Sequence, residues 1–66
     1  MSIETCIENY INGNLQDSKK QAKRYKVIDL IQELTNYGFN SSNSQAIASY
    51  LKNKMSWDEL NNSLTT

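Results

Sequence analysis

The stretch Val27-Ile28-Asp29-Leu30-Ile31-Gln32-Glu33-Leu34-Thr35-Asn36-Tyr37-Gly38 decides the fold. Its apolar residues Val27, Leu30, Ile31 and Leu34 return at steps of three and four, and Ile28 widens the same face. Gly38 stands where a left-handed C-terminal cap is usually found. The spacing predicts a helix over about residues 26–37, with the richest apolar face of the chain. Moving toward the N-terminus, Leu15, Ser18, Ala22 and Tyr25 form a narrower stripe, with Asp17 early and the lysines late, as a helix dipole prefers. This predicts a short cationic helix over about 15–25. Ile3, Cys6, Ile7, Tyr10 and Ile11 repeat the helical step before it, with Ser2 as N-cap and Asn12-Gly13-Asn14 as the stop, giving a helix over about 3–12.

Toward the C-terminus, Asn40-Ser41-Ser42-Asn43-Ser44 reads as a polar turn with several candidate N-caps. Ala46, Ile47, Tyr50 and Leu51 then resume the helical step over about 43–53. Ser56-Trp57-Asp58-Glu59 has the form of a capping box, and Trp57, Leu60 and Leu64 are expected on the inner face of a last helix over about 57–63. Proline is absent and β-branched residues never alternate with polar ones over a strand's length. The expected fold is all-α, a compact bundle of four to five short helices in one domain, with no internal repeat and no linker.

At 66 residues, folding buries only about 60% of the surface that the unfolded chain exposes. Disulfides or metals often reinforce so thin a core, but there is one cysteine, no histidine and no zinc-ligand spacing. No cofactor is implied. The remaining prop is oligomerisation, so a homodimer is predicted, formed by Ile3, Ile7 and Ile11 on the first helix and Ile28 and Ile31 on the third. The lone Cys6 points to a reducing compartment, by default the cytoplasm. Glu4 and Glu8 interrupt the first apolar residues, unlike a signal peptide, and no apolar run approaches the ~20 residues of a membrane span. Seven basic and seven acidic residues cancel, which leaves recognition to local patches.

Lys19, Lys20, Lys23, Arg24 and Lys26 place five of the seven cations within eight residues, over a broad face of one helix. Such a face meets phosphates, or an acidic protein surface whose approach it accelerates, or only solvent, balanced by Glu4, Glu8, Asp29 or Glu33. Tyr10, Tyr25, Tyr50 and Trp57 fall on apolar stripes and are expected in the core. Tyr37 and Phe39 flank Gly38 and are the candidate exposed anchors of an interface. Helices three and four can also be taken for a helix-turn-helix, but the face expected to be exposed on the second, Ser44, Gln45, Ala48, Ser49 and Lys52, is poor in groups for bidentate base contacts. No enzymatic activity is expected: a general base would need a shifted carboxylate or lysine, and Cys6 lies on an apolar face without a histidine partner.

The segment Tyr10-Ile11-Asn12-Gly13-Asn14-Leu15, continued by Gln16-Asp17-Ser18-Lys19-Lys20-Gln21-Ala22-Lys23-Arg24-Tyr25, resembles the start of a family of very short phage-encoded helical proteins. That family shows a Gly-Asn-Leu turn followed by an Ala-Lys-Arg-aromatic helix. Tyr37-Gly38-Phe39, then Ala46-Ile47-Ala48-Ser49-Tyr50-Leu51-Lys52, and Met55-Ser56-Trp57 are similar to its later segments, so the likeness runs over roughly residues 3–62. The family is taken to include a small inhibitor of the BREX anti-phage defence system. The resemblance therefore implies a phage protein of the host bacterial cytoplasm that inhibits a host defence protein, with an ATPase component as the expected target, by stoichiometric contact. The chain departs from the family at the asparagine-rich turn 40–44 and at Lys54-Met55, where other members tend to carry glycine. These departures bear on the choice of target more than on the fold, because partner specificity resides in a few anchor residues.

Overall fold

Five helices make up residues 2–64, the part of the chain that the computed structural model describes: α1 (Ile3–Ile11), α2 (Leu15–Ala22), α3 (Val27–Asn36), α4 (Ser41–Leu51) and α5 (Trp57–Ser63). Among the described residues there is no strand, and the fold is an all-α bundle. Three helices end in one way. Gly13 (φ 85°), Gly38 (φ 103°) and Asn53 (φ 61°) adopt left-handed backbone just past α1, α3 and α4. Each lets two amides fold back onto the last turn: Gly13 N–H donates to Tyr10 O and Asn14 N–H to Asn9 O, Gly38 to Thr35 O and Phe39 to Leu34 O, Asn53 to Tyr50 O and Lys54 to Ser49 O. These are Schellman caps, which satisfy carbonyls that a helix end otherwise leaves unpaired.

The starts are closed by side chains. Ser2 Oγ accepts from Thr5 N–H at 3.3 Å, as expected. In the polar turn the N-cap is Asn40, whose Oδ1 accepts from Asn43 N–H at 2.8 Å, so α4 begins at Ser41, two residues before the expected start. Ser56 and Glu59 form the reciprocal capping box, with Glu59 N–H donating to Ser56 Oγ at 3.2 Å and Ser56 N–H to Glu59 Oε1 at 3.3 Å. Helix α2 stops at Ala22, short of the predicted 25, because the amides of Arg24 and Tyr25 turn back three residues, to Gln21 O and Ala22 O. That tightening ends the helix within the cationic run.

Helix α4 is the centre of the bundle. It packs on α3, α5 and α2, while α1 packs on α2 and α3. Small residues make this possible: Ser44, Ala46 and Ala48 are buried beside Ile47, Tyr50 and Leu51, so more than half of the circumference of α4 meets neighbours, with Gln45 on the open side. Cys6, Ile7, Ala22, Leu30, Leu34 and Leu60 complete the core. The helix-turn-helix, already the weaker reading of the sequence, loses further ground, because Ser44 and Ala48, two of the positions expected to be exposed, have no exposed surface. Ser44 instead lies within hydrogen-bond distance of Thr35 Oγ1 at 3.3 Å and donates to Phe39 O at 3.4 Å. No helix among the described residues is long and apolar enough to cross a membrane.

The isoleucines assigned to a dimer interface separate into three groups. Ile7 is fully buried within one chain and has nothing to offer a second copy, so that expectation is corrected. Ile3 and Ile31 are half-buried and pack against the core. Ile11 and Ile28 are 50% and 55% exposed and remain available.

Candidate protein-interaction surface

Two small residues one helical turn apart, Ser18 and Ala22, are the buried face of α2 and let it lie close to α1. Ser18 Oγ donates to Cys6 O at 2.7 Å while Cys6 Sγ donates to Ser18 O at 3.3 Å, a reciprocal latch between the two helices. Burial raises the Cys6 thiol pKa, although the bond to Ser18 and the charge of Lys52 oppose that shift. Asn9 Nδ2 donates to Gln21 Oε1 at 2.9 Å beside the latch. With its inner face fixed in this way, α2 turns Lys20 outward, while Lys23, Arg24 and Lys26 lie past its end at Ala22, so the single helix face expected for the basic run is corrected to a segment that leads from α2 to the N-cap of α3. Lys20, Lys23, Arg24 and Lys26 are exposed and Lys19 is half-buried.

Lys19 is held by more than its helix. Its Nζ lies 4.3 Å from the centroid of the Tyr50 ring, a cation–π contact between α2 and α4. Tyr50 in turn packs at 5.4 Å, tilted 60°, against Trp57 at the start of α5. Lys52 Nζ donates to Ala22 O at 2.9 Å, where its charge also suits the C-terminal end of the α2 dipole. The basic run 19–26 thus meets the cations that follow α4, and all seven cations of the chain fall in the two segments joined here, 19–26 and 52–54. None of the cations on the exposed face has an acidic side chain within salt-bridge distance among the described residues. Asp17 is the acid of this face; it lines a shallow hollow with Lys20, Gln21 and Arg24.

The two predicted anchors do not join this surface. Phe39 follows the Gly38 cap, and its ring turns inward onto the core, edge-on to Tyr10 at 6.3 Å, so its expected exposure is corrected. Tyr37 is exposed but lies on another flank, where its hydroxyl donates to Glu8 Oε2 at 2.9 Å. That bond, some burial and the charges of Glu8, Glu4 and Glu33 push the Tyr37 phenol up to about 12. Cys6 and Asn9 face α2, and Glu8 stands on roughly the far side of the same helix. Lysines and Tyr37 are therefore separated by α1.

The exposed aromatic beside the cations is Trp57, expected in the core and found 46% exposed. Its position at the first turn of a short peripheral helix leaves only the Tyr50 side covered, while Leu60, one turn on, reaches the core. A hint was present in the sequence: the residue after a capping serine sits at the rim of a helix, where one side of a large ring stays wet. Among the described residues no group of histidine, cysteine, aspartate and glutamate side chains is arranged to hold a metal ion. No family model matches the chain, and no curated protein or solved structure is significantly similar to it.

Proposed function

We propose that this chain is a phage-encoded anti-defence protein that binds a host defence component of the BREX type in the bacterial cytoplasm and blocks it by stoichiometric contact, without chemistry of its own. The observation that carries the reading is the exposed cationic run from α2 to the start of α3, fixed from below by the Cys6–Ser18 latch and without ion-pair partners among the described residues. The family resemblance supplies the class of target. The face supplies a physical means of reaching it, because clustered charge steers encounter with an acidic surface and raises the association rate more than the final affinity. Inhibition follows if the bound protein covers a surface that the target needs for its own assembly, an ATPase subunit being the expected example. A second copy of the chain, associating through Ile11 and Ile28, remains part of the proposal; a monomer mass in light scattering at micromolar concentration removes it.

The test is affinity capture of the tagged protein from lysate of its bacterial host, with and without nuclease, followed by mass spectrometry. A host defence protein recovered from both samples, and lost on replacing Lys20, Lys23 and Arg24 by glutamate, supports the reading. Material recovered only without nuclease moves the basic helix to phosphates and makes the chain a small nucleic-acid-binding regulator, for which affinity falls steeply with salt.

A further inference from the structure

The contacts Lys19–Tyr50 and Tyr50–Trp57 bring three helices together at one surface: α2 and its C-cap provide Lys19, Lys20 and Lys23, Lys52 at the end of α4 is bonded to Ala22 O, and α5 provides a ring that is 46% exposed. We infer that this surface docks an acidic protein segment carrying an apolar side chain, whose carboxylates meet the α2 lysines and whose apolar group covers the open face of Trp57. The inference rests on the proposed contact with a protein partner and deepens it by naming the chemistry of the segment bound.

Charge and placement choose the occupant. The lysines call for an anion, and Trp57 exposes apolar area whose removal from water stabilises a complex. Trp57 is held rather than loose, since its other side is packed on Tyr50, so little ordering of the ring opposes binding. Exposed acids border this surface: Asp17 lines the hollow with Lys20 and Arg24, and Asp58 and Glu59 follow Trp57 in the first turn of α5. A nucleic-acid strand, with a phosphate at every nucleotide, brings negative charge against all three. A peptide is free to place carboxylates at the lysines and an apolar residue at Trp57, leaving neutral residues opposite Asp17, Asp58 and Glu59. Sparse acids with one apolar anchor fit this surface; a uniform polyanion does not.

Trp57 is the sole tryptophan, which makes it a direct reporter. The full-length protein is titrated at low salt with three probes: an all-glutamate peptide, the same peptide with one central leucine, and a single-stranded oligothymidylate. The leucine peptide is expected to bind about tenfold more tightly than the all-glutamate peptide and to shift Trp57 emission to the blue. Lys20→Glu with Lys23→Glu is expected to weaken both peptides. Trp57→Ala, followed by the anisotropy of a labelled peptide, is expected to bring their affinities together, and Trp57→Phe to restore most of the difference; the helical circular dichroism of each variant confirms folding. Equal affinities for the two peptides, unchanged emission, tighter binding of the oligothymidylate, or no binding of any probe overturns the inference. Host-protein capture that survives Trp57→Ala but is lost with the lysine variant also overturns it and leaves the proposed function standing. Capture unaffected by the lysine variant removes the basic helix from the proposed function.

Discussion

The two flanks of α1 handle charge in opposite ways. On the α2 side, cations are held by neutral groups, the Tyr50 ring for Lys19 and a helix-terminal carbonyl for Lys52, and their charge stays turned to solvent. On the α3 side, Glu4, Glu8, Asp29 and Glu33 account for four of the seven acids, and Glu8 is occupied by the Tyr37 hydroxyl. A formal net charge of zero therefore conceals a bipolar molecule. Composition alone rules out a strong monopole field, and the fold restores a local one by sorting the signs between flanks. The cationic flank is the one with spare bonding capacity, and for that reason it carries the functional proposals.

The largest expected effect removes the support common to both flanks. Ile47 is fully buried on α4, which packs on both α2 and α3. Ile47→Ala is expected to cost about 2–5 kcal/mol, most of the stability of a domain this size, and to abolish the cation–π contact and the Tyr37 clasp together. Chemical denaturation followed by circular dichroism reads it. A loss confined to one flank would show that the two fold as separate units.

Ser18→Ala acts on the cationic flank alone. It removes the hydroxyl that donates to Cys6 O and that touches the thiol at 3.6 Å, while Cys6 O keeps its bond within α1 and the thiol keeps its bond to the backbone of residue 18, so the expected cost is that of one hydrogen bond, about 1 kcal/mol. The same variant is expected to speed alkylation of Cys6, which is buried in the native chain. A stable Ser18→Ala protein whose Cys6 is no more reactive than before would mean that packing, not the latch, holds α2.

Lys26 sharpens the contrast further. It is the N-cap of α3, makes no side-chain capping bond, and puts a positive charge at the positive end of a helix dipole. Lys26→Asp is expected to stabilise the fold by about 1 kcal/mol while weakening any contact made through the basic face. A gain in melting temperature accompanied by loss of partner capture would identify Lys26 as kept for binding at the expense of stability. A loss in melting temperature would show that its charge supports the fold.

Local signals were the most legible in the sequence. The five helices, the Ser56–Glu59 box and the Gly38 cap follow from the spacing of apolar residues and from groups that satisfy helix ends, and both are properties of a few neighbouring residues. Asn53 was less legible because asparagine adopts left-handed backbone only when the surrounding turn requires it. The basic residues of α2 were found by their density in the chain, whereas the addition of Lys52 and Trp57 depends on where α4 crosses α2, which no local pattern encodes. Phe39 and Trp57 exchanged their expected roles for the same reason. Amphipathic spacing marks a face, but which neighbour covers that face at a helix end is decided by tertiary packing.

The smallest effect at neutral pH belongs to the acidic flank, and alkali is needed to see it. Tyr37→Phe removes the clasp to Glu8 at an exposed position, where solvent screening keeps the contribution small. The folded chain holds the Tyr37 proton more tightly than the unfolded chain, up from 10 to about 12, so the stabilisation is whole below pH 10 and is lost as pH rises through about 12. Cys6 and Tyr10, both raised by burial, act in the same direction from their ordinary values of 9 and 10 upward. Both proteins are therefore expected to lose stability in alkali, and the lead of the native chain over Tyr37→Phe is expected to vanish between pH 10 and about 12. Denaturant midpoints measured across that window decide the matter. A lead that persists at pH 12 would mean that the proton on the Tyr37 hydroxyl shared with Glu8 is not what distinguishes the two, and that the acidic flank is no more engaged than the basic one.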